Sequence, residues 1–454
     1  MRNKIIEETV LFISIAKWVC LATAAGAVVG LSTTVFIKIL EWSTQLTGQY
    51  NYYFLFLPAA MVLSVLLVKY LAPDAEGHGT EKVIEAVHRS SGKIRAAVVP
   101  VKLATTIMTL AAGGSVGKEG PCAQIGAGLT STLAGLLNFS DHDRKKLVIC
   151  GISAGFASVF GTPISGAIFG VEVLFAGAIL YDVLLPSFVA GVTAYQVAKA
   201  LGVTYFYHPL DLVPVFSERF FLEVVLAGIF FGLCSGFLIG SLRSGKRLAS
   251  KIKLPKTVKA LIGGTAVVAL AFIFSKQYLG LGLNTVQSAL KGEAIPWYAF
   301  IMKSVFTSIT LNFGGSGGIV TPIFFVGATA GTLFATLFAL DASTFASIGL
   351  VSLLAGAANT PISASIMAVE LFGPKLAPYA TVACIISYLM TGHRSVFPSQ
   401  VLAVSKSPSI EVETGQTIET AEAHYKPREK GLIHTAAKEV QKITKLFKGP
   451  TPKG

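Results

Sequence analysis

Apolar residues run through this chain in stretches too long for a water-soluble core. Between Ser304 and Gly392 the only acidic or basic side chains are Asp341, Glu370 and Lys375, and between Leu147 and Tyr181 the only one is Glu172. A helix crosses a bilayer with about 20 apolar residues, so each stretch holds more than one crossing or half-crossing. The 45 glycines and 19 prolines loosen helices or remove backbone donors, which predicts helices that are broken rather than straight. Irregular backbone at membrane depth is tolerated only where it is buried in protein or lines a wet cavity, so the pattern points to a transport path.

Composition agrees with the pattern: 53% of the 454 residues are hydrophobic, 13% are charged, and the mean hydropathy is +0.67. These values exclude an ordinary soluble domain. The start, MRNKIIEE before Thr9 to Ala16, resembles a signal peptide, but Glu7, Glu8 and Lys17 interrupt it and no cleavage is expected. Cys20, Cys122, Cys150, Cys234 and Cys384 lie in apolar stretches without metal-ligand spacing, so they read as core residues, with neither a metal nor a cofactor expected. The net charge of +13 does not point to nucleic acid, because its basic residues cluster between apolar segments and at the end. Leu242 to Lys259 holds seven Lys or Arg and no acid, and Tyr425 to Gly454 is also basic. By the positive-inside rule these segments, and with them both termini, are expected in the cytoplasm.

The chain repeats itself on either side of the basic segment. GGSVGKEGP at Gly113 to Pro121 matches GGSGGIVTP at Gly314 to Pro322 in five of nine places, and TPISGAIFGVEV from Thr162 matches TPISASIMAVEL from Thr360 in seven of twelve. The prolines of the two motifs are 42 residues apart in the first copy (Pro121, Pro163) and 39 in the second (Pro322, Pro361). The expected division is a first half over 1–240, a basic linker over 241–260, a second half over 261–404 and a tail over 405–454. Duplication of this kind marks transporters whose site lies between repeated halves, and sequence leaves open whether the halves are parallel or inverted. In the tail, an acidic part with Glu411, Glu413, Glu419 and Glu422 precedes Lys438, Lys442, Lys445 and Lys448, which share one face of a possible helix suited to anionic lipid. The reading expected for this tail is nevertheless a solvated flexible one, with the lipid-facing helix as its alternative.

Glycines followed by proline make a tight bend into a helix, whose first N–H groups are unpaired and attract anions. Two copies converging from two halves would form one backbone-lined anion site, weak enough to release its ion. Glu119 stands at the first of these starts, as an anion where a diffusing anion would sit. Protonation would remove its charge and free the site, making Glu119 a proton-operated gate; its alternative role is a capping carboxylate.

These motifs resemble the CLC family of chloride channels and chloride/proton antiporters over about Gly77 to Gln400. GKEGP at Gly117 to Pro121 looks like the family's gating-glutamate motif, GGIVTP like its second anion-binding loop, GHGTEKV from Gly77 like its first, and HRSVFPSQ at His393 to Gln400 like the segment ending its membrane domain. The resemblance implies an all-α integral membrane fold, an inverted repeat of tilted and broken helices, and a homodimer with one anion path per subunit. It implies a gate at Glu119 and an anion site formed by His78, Gly79, Lys118, Gly318, Ile319, Val320 and Phe397, with the amides of Ile319 and Val320 on the central ion. Lys102 matches a buried basic position. The chain departs from the family at His78, where many members have serine, at Phe397, where tyrosine is usual, and at Val320, where phenylalanine is. His78 either donates a ring N–H to the ion or points away and leaves it to the backbone. The inner proton-carrying acid of the antiporters falls at Val173, and Glu172 one residue earlier faces a direction about 100° away.

The function expected is transport of a small anion, chloride first, in a bacterial or archaeal plasma membrane. With Val173 in place of an acid, flux is expected to be channel-like or weakly coupled to protons; coupled exchange of chloride or fluoride is the alternative, with Glu172 or water as carrier. Two other classes compete. GGSVG, GISAG and GGSGG fit the nucleophile elbow G-x-S-x-G, but three hits in a Gly-rich chain are unspecific, and no enzyme is expected. An organic-anion carrier would need a wide pocket lined by side chains, whereas these loops predict a narrow one.

Overall fold

A computed structural model of the chain describes residues 2–205, 207–209 and 217–426. Among the described residues the architecture is all-α and falls into two sets of eight helices. The first set is α1 (Arg2–Gly48), α2 (Leu57–Leu71), α3 (Thr80–Arg89), α4 (Val98–Ala111), α5 (Glu119–Leu136), α6 (Asp141–Phe160), α7 (Pro163–Glu172) and α8 (Tyr181–Ala200). The second is α9 (Glu218–Lys251), α10 (Lys256–Ile273), α11 (Leu283–Leu290), α12 (Ala299–Asn312), α13 (Val320–Phe338), α14 (Ala342–Ala358), α15 (Pro361–Phe372) and α16 (Ala377–Thr391).

The sets correspond one to one, and their packing repeats: α1 lies on α8 as α9 lies on α16, and α5 on α6 as α13 on α14. This correspondence puts the change of set between Ala200 and Glu218, so the boundary expected at 240 falls inside α9. The basic stretch expected to be a linker is helical on both sides of a short turn, because α9 runs to Lys251 and α10 starts at Lys256. Apolar positions of α9 continue into its polar end without a breaker, and Pro255 before α10 supplies the stop.

Whether the sets are parallel or inverted is decided by α7 and α15. Glu172 at the end of α7 accepts hydrogen bonds from Ile362 N (3.0 Å) and Ser363 N (2.8 Å) at the start of α15. Glu370 near the end of α15 accepts from Ile164 N (3.0 Å) and Ser165 N (2.8 Å) at the start of α7. Ser165 Oγ donates to Ser363 O and Ser363 Oγ to Ser165 O, at 2.9 and 3.0 Å. Equivalent helices therefore run antiparallel about a local two-fold axis, and the repeat is inverted.

Among the described residues, six helical segments are long and apolar enough to cross a bilayer by length and composition: Lys4–Gly48, Tyr53–Leu71, Tyr181–Ala200, Glu218–Lys251, Lys256–Ile273 and Val320–Phe338. Others are too short, as the glycines and prolines foretold. The most deeply buried are α5, α6, α13 and α14, whose small residues let backbones touch. Four of the five cysteines are buried and all are free.

After α16 the chain returns to the core. Strand β2 (Val401–Leu402) pairs in parallel with β1 (Phe175–Ala176), and β3 (Ile410–Val412) pairs antiparallel with β4 (Ala423–Tyr425). Ile418 N donates to Gln400 O (2.8 Å) and Lys246 of α9 pairs with Glu419 (3.0 Å), so the acidic part of the tail is docked. Lys438, Lys442, Lys445 and Lys448 lie outside the described residues.

The reciprocal caps generate a stability prediction. Glu370→Ala leaves two α7 donors without their partner and is expected to cost about 1–2 kcal/mol. The thermal midpoint of the detergent-solubilised protein should fall by several degrees, with a smaller fall for Glu370→Gln. An unchanged midpoint would show that water replaces the cap at no cost.

Candidate functional site

The two glycine-rich loops meet face to face at the local two-fold axis. Gly117 N donates to Gly318 O (2.7 Å) and Gly318 N donates to Gly117 O (2.6 Å), an antiparallel bridge between segments about 200 residues apart in sequence. This pairing brings the starts of α5 and α13 together. Among the first residues of α13, Ile319, Val320 and Thr321 are buried.

Glu119, the first residue of α5, is 4% exposed and reaches across to the other helix start. Its Oε2 accepts from Thr321 N (3.1 Å), and the Thr321 hydroxyl lies 2.7 and 2.6 Å from its two oxygens. The carboxylate thus sits on donors at the start of α13, a helix end that attracts negative charge. Gly117 makes room for it: a Cβ there would lie 2.6 Å from Glu119 Oε2 and 2.9 Å from Thr321 Oγ1. Lys118, half-buried, stands immediately before α5.

On one side of this centre lies the GHG turn. Gly77 and Gly79 both have positive φ, and Gly79 leads into α3. The His78 ring centroid is 5.8 Å from that of Phe397, and its Nδ1 is buried without a hydrogen-bond partner among the described residues. The Lys102 ammonium, fully buried in α4, donates to the carbonyls of Ala75 (3.2 Å) and Gly77 and holds the turn from behind.

The inverted partner of this arrangement lies on the opposite side. Lys303, fully buried in α12, donates to Tyr278 O (3.2 Å) and Gly280 O (2.8 Å), and the Gly280-Leu281-Gly282 turn leads into α11 as GHG leads into α3. The same 201 residues separate Lys102 from Lys303 and Gly117 from Gly318. Sequence reasoning missed Lys303 and the GLG turn, although that constant spacing was a usable signal. It also missed Thr321: the motif GGIVTP was read for its amides, and the hydroxyl matters only once Glu119 arrives from the other half.

Val173 is fully buried, and its carbonyl accepts from Gln400 Nε2 at 2.8 Å. Gln400 also donates to Ala358 O (2.7 Å) and accepts from Asn359 Nδ2 (3.1 Å). Glu172 is committed to the start of α15. The structure therefore brings together Glu119, Gly117, Gly318, Ile319, Val320 and Thr321. His78, Gly79 and Phe397 form an adjoining group, and Val173 and Glu172 lie apart from it with their own partners.

The family model of the voltage-gated chloride channel matches residues 59–392. A chloride/fluoride channel protein of Pseudomonas syringae pv. tomato is 37% identical over 409 residues, covering 88% of this chain and 90% of the relative. Among solved structures, a CLC-type fluoride/proton antiporter superposes with a TM-score of 0.82 at 27% identity, covering 86% of this chain and 99% of that one. A slow cyanobacterial chloride/proton antiporter shares the fold, with a TM-score of 0.71 at 20% identity over 82% of this chain and 94% of its own.

The tight fit at Gly117 predicts the effect of filling it. Gly117→Ala forces Glu119 or Thr321 to move and should lower anion flux from proteoliposomes at least tenfold, while gel filtration shows a folded protein. Wild-type flux in this variant would show that the close approach has no part in transport.

Proposed function

The chain belongs to the voltage-gated chloride channel family and is a CLC-type transporter of anions, and from that premise we propose that it exchanges a small halide for protons. The observation that carries the reading is the Glu119 carboxylate seated on the Thr321 amide and hydroxyl. A halide needs those same donors, so ion and carboxylate exclude each other. When the side chain takes a proton its claim on the donors weakens and the ion can enter. One cycle then moves anion and proton through one place in opposite directions. A helix start supplies the attraction through aligned N–H groups rather than a full charge, which keeps binding reversible.

Fluoride and chloride are both candidate cargoes. Fluoride is favoured by the likeness to a fluoride/proton antiporter and by the donor set: it is small, strongly hydrated, and gains most from O–H and N–H donors in a close-packed site. His78 adds a ring N–H donor in this reading, and Phe397 contributes no hydroxyl. A channel-like pathway is the second reading, favoured by Val173, which carries no proton where the family's antiporters have an acid.

Each chain contains Glu119, Thr321, His78 and Phe397, which supports one pathway per subunit in the homodimer implied by the family. The GHG side lies with the basic end of the molecule: Lys256 at the start of α10 pairs with Glu76 (2.6 Å), beside the turn. By the positive-inside rule that side faces the cytoplasm in our reading.

Glu119→Gln mimics the protonated side chain. In proteoliposomes loaded with fluoride or chloride, it should retain anion flux, lose most of the pH dependence and abolish anion-driven proton movement. A variant that still pumped protons would remove Glu119 from the exchange, and a wild type that pumped none would leave the channel reading.

A further inference from the structure

Exchange requires a proton to reach Glu119 from the cytoplasmic side as well as from outside, and Val173 cannot deliver it. The turn that leads from the GHG loop into α3 carries another acid. Glu81 is the second residue of α3, a ten-residue helix too short and polar to cross a bilayer. Its Oε1 accepts from Ser399 N (2.9 Å) and from the Ser399 hydroxyl, two residues after Phe397. Its Oε2 is buried with no hydrogen-bond partner among the described residues, and the same holds for Thr80 Oγ1 and His78 Nδ1.

Three such atoms within four consecutive residues form a polar track. It leads to the gate: a Cβ on Gly120, the residue after Glu119, would meet His78 O at 2.5 Å and Thr80 Oγ1 at 3.2 Å. Buried polar atoms left bare cost free energy, and water entering to bridge them would remove that cost. We propose that Glu81 is the cytoplasmic-side proton donor of this transporter, passing its proton along the hydrated His78–Thr80 turn to Glu119.

The step is a proton transfer only. The Glu81 carboxyl releases a proton to water, the water chain delivers one to the Glu119 carboxylate, and Glu81 is reprotonated from the cytoplasm. Its electrostatic surroundings suit that role. Burial pushes the Glu81 carboxyl up to about 7, with Glu419 and Glu85 adding to the rise and the Ser399 hydrogen bonds opposing it. Glu85 is itself paired with Lys82 and Arg89 on α3, and Glu419 of the docked tail with Lys246 of α9. Lys102 of α4 faces the turn from behind, with its ammonium on the Ala75 and Gly77 carbonyls. A carboxyl raised toward neutral pH both takes and gives protons readily.

The inference rests on the exchange reading, and one experiment separates the two. Full-length protein is reconstituted in liposomes, an outward fluoride or chloride gradient is imposed, and anion efflux and proton uptake are recorded together. In Glu81→Gln, which keeps an acceptor for Ser399, anion efflux should stay within about twofold of wild type while proton uptake falls at least tenfold; Glu81→Asp should restore uptake. Ser399→Ala removes a donor that favours the ionised carboxylate, so the pH of half-maximal proton uptake should move upward. This shift tests the role even if the Gln variant does not fold, since a clamp without proton traffic would not produce it. Undiminished coupling in Glu81→Gln, or an unmoved pH profile in Ser399→Ala, overturns the role of Glu81. Wild-type protein that moves anion but no proton overturns the exchange reading and the inference with it.

Discussion

Two helices that begin inside a membrane each expose backbone N–H groups that lipid cannot satisfy, and leaving them bare would cost several kcal/mol. The bridge between Gly117 and Gly318 is where the molecule meets this constraint. It consumes one donor and one acceptor of each loop and sets the starts of α5 and α13 against each other. At the start of α13, Glu119 from α5 takes the Thr321 N–H and hydroxyl. In the exchange we propose, whatever displaces the carboxylate is an anion of comparable demand, so the need to satisfy a broken helix and the capacity to take an anion would come from the same geometry.

Inversion extends the principle outward. Each half supplies a glycine turn held by a buried lysine, Lys102 behind Gly77 and Lys303 behind Gly280, and each supplies a glutamate that caps the other half's short helix. The two halves are not functionally equal. Glu119 has Val320 as its counterpart in the repeat, and His78 has Leu281. Titratable groups stand on one member of each pair, and under the exchange we propose they would give a symmetric scaffold a direction, with Glu119 at the centre and Glu81 and His78 on one flank.

Much of this was legible in the sequence, because the features concerned are local. Gly-Gly-Ser before a proline-bearing helix start needs only chain-neighbour geometry, and a lone glutamate in an apolar run stands out by itself. The duplicated motifs marked the halves, though not the point where one gives way to the other, since α9 begins well before the basic segment that looked like a linker. What stayed hidden depends on contacts between distant residues. The hand of the repeat became visible only when Glu172 and Glu370 were seen capping each other's helices. Thr321 gained meaning only through Glu119, and Glu81 through Ser399, partners about 200 and 300 residues away. The lysine at 303 was within reach, because it keeps the offset of the loops, but a single basic residue in an apolar segment without a motif does not announce a role.

Central to this account is that a bound anion and the charged form of Glu119 compete for the donors at the start of α13. Calorimetric titration of the detergent-solubilised protein with fluoride or chloride, in two buffers of different ionisation enthalpy, measures that competition directly. If the ion displaces the carboxylate and drives it to take a proton, the apparent binding enthalpy differs between buffers by an amount that corresponds to uptake of a substantial fraction of one proton per ion. Binding with the same enthalpy in both buffers would mean that ion and carboxylate do not share the site, and would contradict the account at its centre.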